Sequence, residues 1–139
     1  MKKYLEPIIS HISKDDFDDY SPDFTCLQYD IVDEMEKDNI GFEIVKDIIQ
    51  LMEKNELVEF GTPGPFTHFI EKFYTENKKE YDKILINSVK EKPSTHTIWL
   101  LHRVRTENND VLPILKNISN HVKLNQNLRN VAKDFLEYY

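Results

Sequence analysis

The stretch 59-EFGTPGPFTHFIEKFY-74 holds two of the three glycines and two of the six prolines in a chain of 139 residues. Gly61 is placed to end one segment in a left-handed backbone conformation, which costs glycine no Cβ clash. Thr62 is a candidate cap for the next helix. Pro63 or Pro65 suits the first turn of a helix, where a missing N–H leaves no bond unmade. Phe66, Phe69, Ile70 and Phe73 then recur at three- and four-residue spacing, the stripe of an amphipathic helix. The stretch therefore reads as a helix stop and, immediately after it, a helix start.

Working outward, the same 3.6-residue period runs along most of the chain. It predicts a short helix over 4–13, with Pro7 tolerable only in its first turn, and a polar loop over 14–22. Phe24, Leu27, Ile31 and Met35 predict a helix over 23–38, punctuated by Asn39 and Gly41. Phe42, Val45, Ile48, Ile49 and Met52 predict one over 42–55. After the helix over 64–76, Tyr81, Ile84, Leu85 and Val89 mark 78–91. Pro93 breaks that run, and Ser94 or Thr95 caps a helix over 95–106 that carries Ile98, Trp99, Leu101, His102 and Arg105. Asn108, Asn109 and Asp110 form a turn with Asp110 as cap. Helices over 111–122 and 125–138 close the chain. The short apolar piece 57-LVEF-60 has no second strand to pair with. The fold class is all-α, in one domain over 1–139. Pairs 42–55/64–76, 78–91/95–106 and 111–122/125–138 are expected as antiparallel hairpins, either stacked as a short HEAT-like array or closed into a compact helical bundle.

The formal charge is −7, with 40% apolar and 31% charged residues. That balance is globular. Its distribution is uneven: residues 1–40 carry four lysines against eleven acids, and the remainder balances to zero. Much of the excess lies in 14-KDDFDDYSPDF-24. Such a surface repels nucleic acid, whose binding rests on Lys and Arg neutralising phosphates, and it steers basic partners inward. Asp15, Asp16, Asp18, Asp19 and Asp23, interleaved with Phe17 and Tyr20, form the candidate partner-binding segment, since aromatic anchors supply hot-spot contacts and acids supply steering. Acidic loops are equally often just solvated. No apolar run is long enough for a membrane span, and the start MKKYLEPIISHIS lacks a signal peptide's apolar region. Cys26, the one cysteine, permits no intrachain disulfide. A cytoplasmic location is expected.

Catalytic and metal chemistry find little support. His68 and Glu71 share a helix face at i and i+3, but di-iron bundles need two such pairs and further glutamates. No metal, cofactor or enzymatic role is expected. Cys26 has no nearby His and is expected on an apolar helix face, as a small hydrophobe, and Ser88 has no elbow glycines. Glu71 and Arg103 each flank an apolar stripe, so a charge-assisted tie between helices is expected ahead of a catalytic pair.

Two motifs carry a resemblance. Gly61-x-Pro63-Gly64-Pro65-x-x-His68-x-x-Glu71 and Pro93-x-Thr95-x-Thr97-x-Trp99-x-x-x-Arg103 together resemble small α-helical, HEAT-like immunity proteins of bacterial polymorphic toxin systems, over roughly residues 57–138. The family pattern often has Asn before the arginine, where this chain has His102, and an aliphatic residue where it has Phe66. The resemblance implies a non-enzymatic protein that binds and neutralises a cognate toxin domain. Many such toxins are basic nucleases, which suits an acidic inhibitor. It also implies that Gly61, Pro63, Gly64, Pro65, His68, Glu71, Trp99 and Arg103 determine the fold, leaving toxin contact to variable surface such as residues 14–23. A helical adaptor without a toxin partner shares the same fold and chemistry.

Overall fold

The computed structural model describes residues 2–104 and 110–138. The protein is all-α: the described residues form eight α-helices and two short 3-10 turns, with no strand. Arg105, Asn108, Asn109 and Tyr139 lie outside the described residues. The chain divides into two compact units, one of residues 1–51 and 59–78, the other of residues 52–58 and 79–139.

In the first unit, α1 (Glu6–Ile12) holds Pro7 in its first turn, and α2 spans Pro22–Lys37. Ser21 caps α2 by accepting the Asp23 N–H at 3.2 Å, and Pro22 occupies the first turn. The far end of α2 closes as a Schellman turn. Asn39 adopts φ +55°, the Ile40 N–H reaches back to the Met35 carbonyl at 2.9 Å, and the Asn39 N–H reaches that of Glu36 at 3.0 Å. Asparagine is the residue besides glycine that tolerates this conformation. The buried stripe of α2 is Phe24, Gln28, Ile31, Val32 and Met35. Helix α2 packs on α1 and on α4 (Pro65–Glu71). Helix α3 begins at Val45, after a 3-10 turn over Phe42–Ile44, and runs to Lys54, its residues from Met52 on falling in the second unit.

The stretch 59–74 behaves as a stop and a start, with two departures. Gly61 sits at φ +100°, as expected, and the Thr62–Pro63 peptide is cis. The cap of α4 is Gly64, not Thr62, and Pro65 takes the first helical turn. Neither glycine has space for a side chain. A Cβ on Gly61 would come within 2.7 Å of the Gly64 Cα, and one on Gly64 would collide with the Phe60 carbonyl oxygen. Helix α4 also stops at Glu71, short of 76. The chain tightens there into i→i+3 turns, Phe73 to Ile70 and Tyr74 to Glu71. The Asn77 side-chain amide takes the Phe73 carbonyl at 2.8 Å, the kind of local bond by which asparagine competes with a continuing helix.

In the second unit, α5 (Lys78–Glu91, of which Lys78 falls in the first unit) ends just before Pro93. Ser94 and Thr97 form a full capping box on α6 (Thr95–Arg103), with the Thr97 N–H donating to Ser94 Oγ at 3.1 Å and the Ser94 N–H to Thr97 Oγ1 at 3.1 Å. Both orphan donors are satisfied reciprocally, although a threonine replaces the usual Glu or Gln. Asp110 stands at the N-cap position of α7 (Val111–Asn120) without a side-chain cap bond. Asn125 caps α8 (Gln126–Leu136) through the Asn127 N–H at 2.8 Å. Helices α7 and α8 pack together as expected, and α6 lies against both. The contacts α2 to α4 and α6 to α8 join helices that are not neighbours in sequence, which adjacent-hairpin reasoning does not supply.

Two outcomes test this reading. Gly61→Ala should cost more than the about 1–2 kcal/mol of a Cβ in a left-handed conformation, because the Gly64 main chain must also move, and Gly64→Ala should cost more again because its Cβ overlaps the Phe60 carbonyl oxygen more deeply. Denaturant unfolding measures both; equal or negligible losses would contradict the close approach. Gln28 is fully buried and its Oε1 meets no hydrogen-bond partner. An unmet buried acceptor costs about 1–3 kcal/mol, so Gln28→Met, similar in shape, should raise the unfolding midpoint rather than lower it.

Candidate protein-binding surface

The acidic segment connects α1 to α2 in the first unit, and the fold fixes it in two places. Phe17 is half-buried, not solvent-facing. Its ring packs edge-on against Phe24 at 5.0 Å and against His11 at 5.8 Å. From Phe24 the rings continue to Phe60 at 5.7 Å and Phe66 at 6.3 Å. Offset and tilted pairs of this kind add about 0.5–1.5 kcal/mol each beyond the area they bury. Asp19 provides the second fixing point: its Oδ2 accepts the main-chain N–H of Glu59 at 2.8 Å. The Glu59 side chain in turn accepts the Gly61 N–H at 2.8 Å. The loop and the glycine turn are thus joined through two carboxylate acceptors.

The remaining residues of the segment face solvent. Asp15, Asp16, Asp18 and Asp23 are exposed, and Tyr20 is 82% exposed. Asp18 Oδ1 accepts the Tyr20 N–H at 3.0 Å, a local turn that sets the direction of the tyrosine's backbone. Of the seven predicted contact residues, five are presented outward, whereas Phe17 and Asp19 hold the loop to the core.

The solvent side of α2 extends the same character. Cys26, Tyr29, Asp30, Asp33 and Glu34 are exposed there, Tyr29 at 53%. At 100° per residue Tyr29, Asp33 and Asp30 fall on one flank of the helix. Sequence reading passed over Tyr29. Its signal was present: it lies off the stripe of Phe24, Ile31 and Met35, where an aromatic residue has no core to enter. Glu36 is drawn to Lys72, 3.5 Å away, and the same ammonium lies over the Phe69 ring at 4.4 Å. Tyr4 donates to the Asp38 carboxylate, and that hydrogen bond raises the phenol's pKa.

The motif residues divide between framework and surface. Gly61, Gly64 and Pro65 build the turn described above; Gly64 and Pro65 are buried, and Pro63 is exposed. His68 is exposed on α4, and Glu71 is half-buried at its end. In the second unit the Arg103 guanidinium lies over Trp99, 4.8 Å from the ring, and Trp99 also meets the His96 ring at 5.2 Å. His96 is buried, and its pKa is lowered to about 4, first by desolvation and then by the Arg103 charge. Among the described residues, no three His, Cys, Asp or Glu side chains are grouped to hold a metal ion. Nor does any helix among them have the length and apolarity to cross a membrane.

His96 gives a pH prediction. The folded state keeps the ring neutral down to about pH 4, while the unfolded ring binds a proton near pH 6.5. The unfolded state therefore holds more protons between those values, and stability falls as pH drops from 6.5 to 4, by roughly 3 kcal/mol at most. The His96 ring signals should remain those of neutral imidazole at pH 5 in an NMR titration. A ring that titrates near pH 6.5 in the folded protein would contradict its burial. A second check concerns the loop: Asp19→Ala should speed hydrogen exchange at the Glu59 amide and cost about 1.5–3 kcal/mol, the range for a charged acceptor, whereas Asp15→Ala should do neither.

No family model, curated protein or solved structure matches the chain.

Proposed function

We propose that the protein is an immunity protein, acting in the cytoplasm of the cell that makes it, which binds a cognate toxin domain and neutralises it without a reaction of its own. The observation that carries this reading is the loop over 15–23, which holds Asp15, Asp16, Asp18 and Tyr20 outward while Phe17 and Asp19 tie it down. A loop already ordered before binding loses less conformational entropy on association, so more of its contact energy appears as affinity. The local excess of negative charge speeds encounter with a basic surface, and Tyr20 supplies a large amphipathic side chain for the contact itself. A basic nuclease domain is the partner class that best meets this surface. The resemblance over roughly residues 57–138 supports the same reading.

Co-expression tests it. The open reading frame beside this gene should be toxic alone and harmless together with this protein. Toxicity without relief would overturn the immunity reading and favour a helical adaptor. With the toxin in hand, Asp15→Lys combined with Asp16→Lys should lower the association rate about tenfold or more at low salt, with a smaller effect at high salt and on dissociation. Neither side chain serves the fold, so stability should be unchanged. An unaltered association rate would remove the acidic loop from the interface.

A further inference from the structure

The second unit holds an open cavity of about 440 Å³, lined by residues of α5 and α7 and of the segments that follow them. Its size lies within the range of small-molecule sites. Val89, Ile114 and Ile118 give it an apolar wall, and Lys90, Glu91 and His121 also line it. None of these residues belongs to the acidic loop or to the glycine turn.

The charge around the cavity is predominantly of one sign. Lys90 and Glu91, side by side in the last turn of α5, oppose each other. Three further lysines each adjoin a lining residue in sequence: Lys92 between α5 and α6, Lys116 on α7, and Lys123 between α7 and α8. No acid besides Glu91 stands within two positions of any lining residue. All four lysines are exposed, and among the described residues none is paired with a carboxylate. Their long stems give the ammonium groups reach over neighbouring apolar surface. The second unit as a whole carries eleven basic residues against nine acidic ones, whereas the first carries seven against sixteen. The chain's acidity therefore belongs to the first unit, and the surroundings of this cavity attract anions.

Two further features narrow the ligand. Val122, in the loop between α7 and α8, is 78% exposed beside the lining residue His121, so apolar contact is on offer at the mouth as well as inside. No arginine adjoins a lining residue in sequence. The cavity thus lacks the bidentate fork that matches a phosphate, and separate lysines, each a point charge, suit a singly charged head. An apolar wall with a basic mouth is complementary to a molecule with an apolar stem and one negative end.

We propose that this cavity binds a free aliphatic carboxylate, its chain on Val89, Ile114 and Ile118 and its charged end at the mouth, within reach of Lys90, Lys92 and Lys123. The proposal does not rest on the immunity reading.

The test is a titration of the 15N-labelled full chain, followed by amide shifts, with four probes at pH 7 and matched ionic strength. Hexanoate carries both stem and charge, acetate the charge alone, 1-hexanol the stem alone, and hexylammonium the stem with the opposite charge. Hexanoate should give saturable shifts at Lys90, Glu91, Asn120 and His121 and should bind more tightly than the other three. Burying a methylene is worth up to about fourfold in affinity, so hexanoate should exceed acetate by about tenfold or more. Lys90→Gln and Lys123→Gln should each weaken hexanoate by about two- to fivefold and Glu91→Gln should tighten it by a similar factor, the scale of one exposed charge, with 1-hexanol unaffected. All three residues are exposed, so the variants should fold. The proposal is overturned if 1-hexanol, hexylammonium or acetate binds as tightly as hexanoate, if the lysine variants bind hexanoate unchanged, or if hexanoate gives no saturable shift at these four amides.

Discussion

Residue 64 has no room for a side chain, and much of the first unit depends on that. The Phe60 carbonyl oxygen occupies the place a Cβ would take, and the Gly61 Cα stands beside it. With the chain folded this tightly, Phe60 enters the core and meets Phe24 and Phe66 on either side. The residue before it, Glu59, is left with its N–H toward Asp19 and its carboxylate toward Gly61. A backbone constraint four residues long thus sets the end of one segment, the start of α4 and the position of a loop forty residues earlier. The aromatic rings supply the apolar part of this assembly and the two carboxylates the directional part. Neither part alone would hold the loop, because rings permit sliding and one hydrogen bond to a charged acceptor contributes only about 1.5–3 kcal/mol.

The acidic loop faces an electrostatic problem of its own. Four aspartates within five residues repel one another, and in a free chain they would spread apart. The structure divides their duties. Asp19 directs its charge to a backbone donor and Asp18 to the turn at Tyr20, which removes two of the four from simple mutual repulsion. Asp15 and Asp16 remain in water, where a Debye length of roughly 8 Å limits the cost in physiological salt. The loop is therefore both charged and ordered.

The all-α class was legible from period alone, and the termini from local chemistry. Pro7 and Pro65 stand in first helical turns, Asn39 and Gly61 take positive φ, and Ser94 caps α6, while Pro22, read as the end of the preceding loop, opens α2. These signals act within about four residues, the reach of a capping bond. What escaped the sequence acts over longer separations. The Asp19 to Glu59 bond spans forty residues, and nothing in either neighbourhood marks it. Phe17 looked like an exposed aromatic because its flanks are acidic, yet its partner Phe24 lies seven residues on, across a turn whose geometry no period encodes. The early end of α4 is marked by the switch to i→i+3 bonds at Phe73 and Tyr74, a choice between two local bonds of similar strength. Thr62 failed as a cap because the helix entrance falls two residues later, at Gly64. Likewise the cavity between α5 and α7 depends on crossing angles, which apolar spacing leaves open.

The division of labour within the loop has a consequence for how such a protein can diversify. Only Phe17 and Asp19 tie residues 15–20 to the rest of the unit. Asp15, Asp16 and Tyr20 are exposed, so exchanges there change the surface of the loop while leaving the folding equilibrium nearly where it was. Selection acting on recognition and selection acting on stability then fall on different residues. Single exchanges at 15, 16 and 20 therefore alter the exposed surface of the loop with the fold retained.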